Sequence, residues 1–208
     1  MAKKLAFIDT NTLVRYIFYL FAERIRTTDE AKKELWKMYG TKVKSSYTLI
    51  LNIVKLGNKD IRFATSNLVF SEIYCALCDE AICKKMWEDG VPLNSWKRLQ
   101  EKFVKFLKDS EREEIKNAVN ELKKEKNIYN IKEYYDFDLI SELILYFGLK
   151  TQDSILFSTS LKNKCSYFIT SDEQDFHNNE KLIEKFKDKI TILTPEEAIR
   201  RFFSKPKT

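Results

Sequence analysis

Five acidic residues stand at positions where a metal-dependent reaction could be built. Asp9 follows the apolar run KLAFI, and Asp172 closes the run YFITSD. Glu72 and Asp153 lie among apolar and small residues, and Asp175 follows Asp172 by three positions. Clustered carboxylates repel one another and therefore need protons or a bound cation. Hard oxygen ligands suit Mg²⁺ or Mn²⁺, and such a cation suits the attack of activated water on a phosphodiester.

Each acid also has an ordinary structural interpretation. An Asp that ends a strand often caps the following helix. A single Glu or Asp on a helix is usually a solvated surface residue. The joint pattern is more specific than any one of its members.

Short apolar strands separated by helices would position these acids. Strands are predicted at Lys4–Ile8, Asp60–Thr65, Tyr167–Thr170 and Lys189–Leu193. Helices are predicted at Leu13–Ile25, at Asp29–Met38, from Ser45 or Ser46 to Gly57, after Asn67, at about 95–109 and 111–126, at Leu139–Phe147, from Thr151 and at Glu196–Phe203. This alternation predicts an α/β fold on a mostly parallel, doubly wound sheet. Ligands bind such sheets at the carboxyl ends of the strands, where the acids would converge.

Composition limits the class of protein. The chain has 208 residues, of which 44% are hydrophobic and 33% charged, so we expect one folded domain over 1–203 and a basic tail at 204–208. Only four Gly and three Pro disfavour many-turned sandwiches and barrels. The most apolar run, Tyr16–Ala22, has seven residues. A membrane span needs about 20, so we expect a cytoplasmic protein with no membrane segment.

A helical insertion is predicted at about 84–127. This stretch holds 12 Lys or Arg and 9 Asp or Glu. On a helical wheel for 95–109, one side carries the basic residues Arg98, Lys102, Lys105 and Lys108. We interpret this basic stripe as a guide for RNA phosphates. A solvated or dimer-forming face is the alternative.

Four short motifs resemble those of the PIN-domain nucleases. They are FIDTN at 7–11, SEI at 71–73, DSIL at 153–156 and ITSDEQDF at 169–176. The resemblance implies a three-layer α/β/α sandwich and a metal-dependent endoribonuclease that acts on single-stranded RNA with Mg²⁺ or Mn²⁺. The chain is longer than the small PIN toxins, mainly at 26–59 and 84–127, which leaves a toxin or an RNA-processing role open.

The resemblance also assigns residues. Asp9, Glu72, Asp153 and Asp172 match the acidic quartet of the family, which binds the metal and carries catalysis. Asp175 is a further expected metal ligand, and Asn11, Thr170 and Ser171 are expected to support the site. Besides RNA, a homodimer and a protein partner such as an antitoxin-like inhibitor stay open as partners.

Two other functions fit parts of the pattern. Asp9-Thr-Asn-Thr12 resembles the opening of haloacid-dehalogenase-type phosphatases, with Asp9 as nucleophile, although Asn11 replaces their general acid. Release of phosphate from a small phosphoester would favour that function. A non-catalytic RNA-binding or assembly module is the second alternative, and RNA binding without cleavage or metal dependence would favour it.

Two weaker patterns receive ordinary interpretations. Cys75, Cys78 and Cys83 could be zinc ligands, but small buried side chains are the preferred interpretation. Tyr134, Tyr135 and Phe137 could stack on bases, but we expect core packing beside the sheet.

Overall fold

A computed structural model describes residues 3–24, 30–92, 95–97, 99, 105 and 107–204. Over these residues the elements are β1 (Lys4–Ile8), α1 (Thr10–Arg24), α2 (Glu30–Leu56), β2 (Ile61–Ser66), α3 (Asn67–Glu88), α4 (Asp109–Lys123), β3 (Ile128–Ile131), α5 (Phe137–Phe147), α6 (Thr151–Lys162), β4 (Tyr167–Ile169), a π-helical turn (Glu173–His177), α7 (Glu180–Phe186), β5 (Thr191–Leu193) and α8 (Pro195–Phe203).

All strand pairs in the five-stranded sheet are parallel. The strand order is β3-β2-β1-β4-β5, so the chain moves outward from β1 first to one side and then to the other. Phe7 of β1 pairs with Ala64 of β2 and with Phe168 of β4. With its helices the sheet forms a three-layer α/β/α sandwich, and the predicted α/β fold class is confirmed.

Continuous apolar strands explain why both faces of this sheet are covered. Ala6, Phe7 and Ile8 are all fully buried, as expected for a strand with helices on both sides. The rings of Phe7 and Phe168 stack with centroids 5.6 Å apart, and Phe157 of α6 meets Phe168 edge-on at 5.3 Å. This aromatic packing fixes the central strands β1 and β4, whose ends carry two of the candidate acids.

Several predicted boundaries differ from the observed ones. The two helices predicted on either side of Gly40 form the single helix α2, because one Gly inside a helix costs only about 1 kcal/mol. The strand β3 was not predicted, because its residues Tyr129 and Asn130 are exposed and break the apolar pattern. Helix α7 was also missed. Most of the helix predicted at about 95–109, and the basic tail after Ser204, lie outside the described residues.

The chain divides into two compact units. One unit comprises residues 1–69 and 125–208 and contains the whole sheet. The other comprises residues 70–124 and holds most of α3 together with α4, with a core cluster built on Ile82, Met86 and Leu107. The predicted single domain with an insertion at about 84–127 stays a prediction. No helix in the described part of the chain has the length and apolarity that a bilayer span requires.

Candidate active site at the carboxyl edge of the sheet

Asp9 and Asp172 are joined through one threonine hydroxyl. Asp9 directly follows β1, is buried, and its backbone N–H donates to the carbonyl of Ile169 on β4 at 2.9 Å. Thr170 Oγ1 donates to Asp9 Oδ2 at 2.8 Å and accepts from the backbone N–H of Asp172 at 3.0 Å. The parallel pairing of β1 and β4 therefore brings two predicted site residues, and the supporting Thr170, to one edge of the sheet.

The π-helical turn after β4 places Asp175 beside Asp172. The Asp172 carboxylate caps this turn, because Asp172 Oδ1 accepts from the backbone N–H of Asp175 at 3.0 Å. His177 Nε2 lies 3.0 Å from the carbonyl oxygen of Thr170. Since a carbonyl oxygen only accepts, this contact requires the tautomer with the proton on Nε2.

Asp153 has a strongly shifted pKa. Burial and then the negative charge of Asp9 raise the pKa of Asp153 to about 7, with smaller contributions from Asp175 and Asp172, against the opposing charge of Lys150. The structure thus brings Asp9, Asp172 and Asp175 close enough to Asp153 for their charges to raise its pKa. Perturbed carboxylates of this kind are typical of catalytic sites, although structural ion-pair networks produce them as well.

Lys150 is a site residue that the sequence did not reveal. Its Nζ pairs with Asp175 Oδ2 at 2.8 Å, and this hydrogen bond, with the charges of Asp175, Asp153 and Asp172, raises the pKa of Lys150. Lys150 precedes the first residue of α6, so the start of that helix brings the lysine and Asp153 to the same place. The only sequence signal is a basic residue three positions before an acid, which is too common to be informative.

Four buried hydroxyl groups belong to residues at or near the same strand ends. Thr12, Ser66, Ser154 and Ser171 are buried, and within the described structure their hydroxyl oxygens have no hydrogen-bond partner. Thr12 lies in the first turn of α1, and Ser66 ends β2. Ser154 directly follows Asp153, and Ser171 directly precedes Asp172. Buried polar atoms normally form hydrogen bonds with protein, water or a ligand. These four hydroxyl groups are therefore available for hydrogen bonds with water or a ligand.

The predicted metal ligands are not gathered into a closed site. Among the residues that the structure describes, no group of three or more His, Cys, Asp or Glu side chains is placed to hold a metal ion. Mg²⁺ usually keeps several waters and binds through one or two carboxylates plus substrate phosphates, so it does not need such a cage. The oxygen donors of Asp9, Asp153 and Asp172 fit Mg²⁺ or Mn²⁺ by their chemistry.

Three further predicted site residues lie as follows. Glu72 is half-buried on α3, in the compact unit of residues 70–124, and its membership of the quartet stays a prediction. Asn11 is exposed in the first turn of α1, and Ser171 is buried. Their supporting roles stay predictions as well.

The basic stripe is described only in part. Lys105 and Lys108 are exposed, whereas Arg98 and Lys102 lie outside the described residues. The role of this stripe in RNA binding stays a prediction.

The three cysteines of the possible zinc pattern lie in different surroundings. Cys78 and Cys83 are half-buried and pack against the cluster of Ile82, Met86 and Leu107, which supports the packing interpretation for these two. Cys75 is exposed, so the expectation of a buried side chain was wrong at that position.

The aromatic residues before and at the start of α5 lie at the surface. Tyr134, Tyr135 and Phe137 are 41%, 68% and 80% exposed, so the expectation of core packing for them was wrong. They belong to the unit that contains the sheet.

Comparison with known proteins adds no family assignment. No family model matches the chain, and no curated protein matches it.

Proposed function

We propose that this chain is a metal-dependent endoribonuclease that hydrolyses phosphodiester bonds of single-stranded RNA in the cytoplasm. The observation that carries the proposal is the hydrogen-bonded link from Asp9 through Thr170 to Asp172 and Asp175 where β1 and β4 end, beside Asp153. The preference for RNA rests on the resemblance of the four sequence motifs to PIN-domain nucleases. By that resemblance, Asp9, Asp153 and Asp172 match three positions of the family's acidic quartet, and Glu72 matches the fourth.

A bound Mg²⁺ or Mn²⁺ would lower the pKa of an attacking water and offset negative charge on the phosphate. Asp9 and Asp172 would hold the cation, and Thr170 would orient Asp9 through its hydroxyl. Asp153, whose pKa is raised to about 7 without a cation, would lose its proton when the cation binds and would join the metal ligands. The attacking water would lose a proton to solvent, and its oxygen would form a new bond to phosphorus while the bond to the 3′-oxygen breaks. The 3′-oxygen would take up a proton from solvent, which leaves a 5′-phosphate and a 3′-hydroxyl.

The decisive test is cleavage of single-stranded RNA by wild type and by Asp9→Asn. We expect the variant to lose at least about 100-fold in rate, as for loss of a group that stabilises the transition state. Asp60→Asn is the matched control, because Asp60 is exposed and precedes β2 at the opposite edge of the sheet. If Asp9→Asn cleaves as fast as wild type and the control, Asp9 is not catalytic and the proposed site is wrong.

A further inference from the structure

Lys150 reaches the acid cluster of Asp9, Asp153, Asp172 and Asp175 from the solvent side. Its Nζ atom lies 2.8 Å from Asp175 Oδ2, and the lysine side chain is 75% exposed, whereas that of Asp175 is 14% exposed. An ammonium group has three N–H donors, and the hydrogen bond to Asp175 uses one of them. The exposure of the lysine leaves the other donors accessible to a ligand.

The π-helical turn is held by hydrogen bonds other than the ion pair of Lys150 with Asp175. The Asp172 carboxylate caps the turn by accepting from the backbone N–H of Asp175 at 3.0 Å. Asn179 Nδ2 donates to the backbone carbonyl oxygen of Asp175 at 3.3 Å. An ion pair as exposed as this one contributes little to stability, so a purely structural role explains the lysine poorly.

Lys150 can exchange Asp175 for another anion while its backbone stays in place. Its carbonyl oxygen accepts from the backbone N–H of Ser154 at 2.9 Å, which anchors the residue at the start of α6. The lysine side chain carries its charge on a flexible four-carbon stem. A cation that binds Asp175 would displace the ammonium group by charge repulsion and leave it beside the metal site.

A phosphate that enters this site needs more positive charge than one divalent cation supplies. When all four acids of the cluster are ionised, a divalent cation offsets half of their negative charge, and the remainder repels a phosphate. Among the described residues whose charges shift the pKa of Asp153, Lys150 alone is basic. A lysine ammonium is a common partner of phosphate groups in proteins.

We propose that Lys150 binds a backbone phosphate of the RNA substrate beside the acid cluster and is therefore a substrate-contacting residue. The ammonium group pairs with Asp175 in the free protein and with the phosphate in the complex. This inference takes RNA as the ligand from the proposed function, but it requires binding and not cleavage.

Binding of a short single-stranded RNA tests the proposal, with divalent cations left out so that metal-dependent cleavage does not occur. We expect Lys150→Met to raise the dissociation constant at least about 5-fold and to lower the logarithmic salt slope by about 0.7, as for loss of one phosphate contact. Lys150→Arg keeps the charge and should keep most of the affinity and slope. Lys185→Met is the matched control, because it also removes an exposed positive charge and an ion pair between two elements, from Lys185 Nζ to Glu142 Oε1 at 3.3 Å.

Breaking the same ion pair from its other side separates the two roles of Lys150. Asp175→Asn also removes the pair, but it frees the lysine, so this variant should bind RNA at least as tightly as wild type. A purely structural ion pair would instead make both Lys150→Met and Asp175→Asn lose affinity. Thermal unfolding of every variant checks that it is folded.

An affinity and salt slope that Lys150→Met leaves unchanged overturn the proposal, as does a wild type that does not bind RNA. An equal loss of affinity in Lys150→Met and in either Lys185→Met or Asp175→Asn overturns it as well. Cleavage assays with Mg²⁺ separate this inference from the proposed function. If wild type binds RNA as expected but never cleaves it, the ribonuclease proposal fails and Lys150 remains a phosphate-binding residue. If wild type cleaves RNA and Lys150→Met has an unchanged KM, the inference on Lys150 fails instead.

Discussion

Thr170 is the residue that fixes the geometry of the candidate carboxylates. The Thr170 hydroxyl donates its proton to Asp9 Oδ2, and its oxygen accepts a hydrogen bond from the backbone N–H of Asp172. The two hydrogen bonds tie the Asp9 side chain, at the end of β1, to the backbone that follows β4. Burial and the charge of Asp9 raise the pKa of the neighbouring Asp153 to about 7.

The raised pKa of Asp153 predicts a pH-dependent stability. The native state binds a proton between the ordinary pKa of 3.8 and about 7 that the unfolded chain does not bind, so this group makes stability fall as pH rises through that window. We expect the melting temperature of the metal-free protein to drop more between about pH 5 and about pH 8 in wild type than in Asp153→Asn. Mn²⁺ must displace this proton, so its stabilising effect should grow with pH in wild type.

Asp60→Asn serves as the control for that measurement, because it removes an exposed carboxylate away from the cluster. Parallel pH curves for wild type and Asp153→Asn would show that Asp153 is not protonated in the folded protein.

At the scale of single elements, two glycines should respond in opposite ways to the same substitution. Gly148 ends α5 with a φ of 69°, in the left-handed region where a Cβ is unfavourable, so Gly148→Ala should destabilise the protein by about 1 kcal/mol. Gly40 lies inside α2, where an added Cβ would meet Tyr19 Cε2 at an ordinary 3.9 Å. Gly40→Ala should therefore stabilise by about 0.5–1 kcal/mol through its helix propensity.

Urea unfolding of the two variants measures both effects. The same sign for both substitutions would contradict the assigned backbone conformations, since the chemical change is identical and only the local geometry differs.

Which elements could be predicted depended on how completely their residues are buried. The strands β1 and β4 carry unbroken apolar runs because both of their faces are covered. Since ligands bind such sheets at the carboxyl ends of the strands, the residues that follow these runs, Asp9 and Asp172, could be predicted as site residues. Strand β3 lies at the sheet edge, where Tyr129 and Asn130 face solvent and hide the pattern. Lys150 could not be predicted, because its position depends on where α6 begins relative to the π-helical turn.

At the scale of the whole molecule, the net charge of +6 bears on the proposed substrate. If the basic stripe contacts RNA, Lys102→Glu, Lys105→Glu and Lys108→Glu together should weaken binding and flatten its salt dependence. Each lost phosphate contact removes about 0.7 from the logarithmic salt slope for a single strand. Binding of single-stranded RNA to the Asp9→Asn protein at several salt concentrations, with Mg²⁺ and Mn²⁺ left out, measures this slope.

The control for the stripe is a protein with the same change in net charge. Lys55, Lys116 and Lys124 are exposed lysines outside the stripe, and their reversal to Glu alters the total charge equally. If both triple variants lose the same affinity and slope, the effect belongs to net charge and the stripe is ordinary surface.

The parallel topology has a consequence for how the chain reaches its native state. Phe7 pairs with Phe168, and Asp9 meets Thr170, across a separation of 161 residues. Closing so long a loop costs entropy before the contact returns any free energy, and such non-local pairing slows folding. Strand β1 is synthesised before its partner β4, and the strands β2 and β3 with several helices lie between them in the sequence. The acid cluster therefore comes into existence late, and a nascent chain that has not yet released β4 has no such cluster.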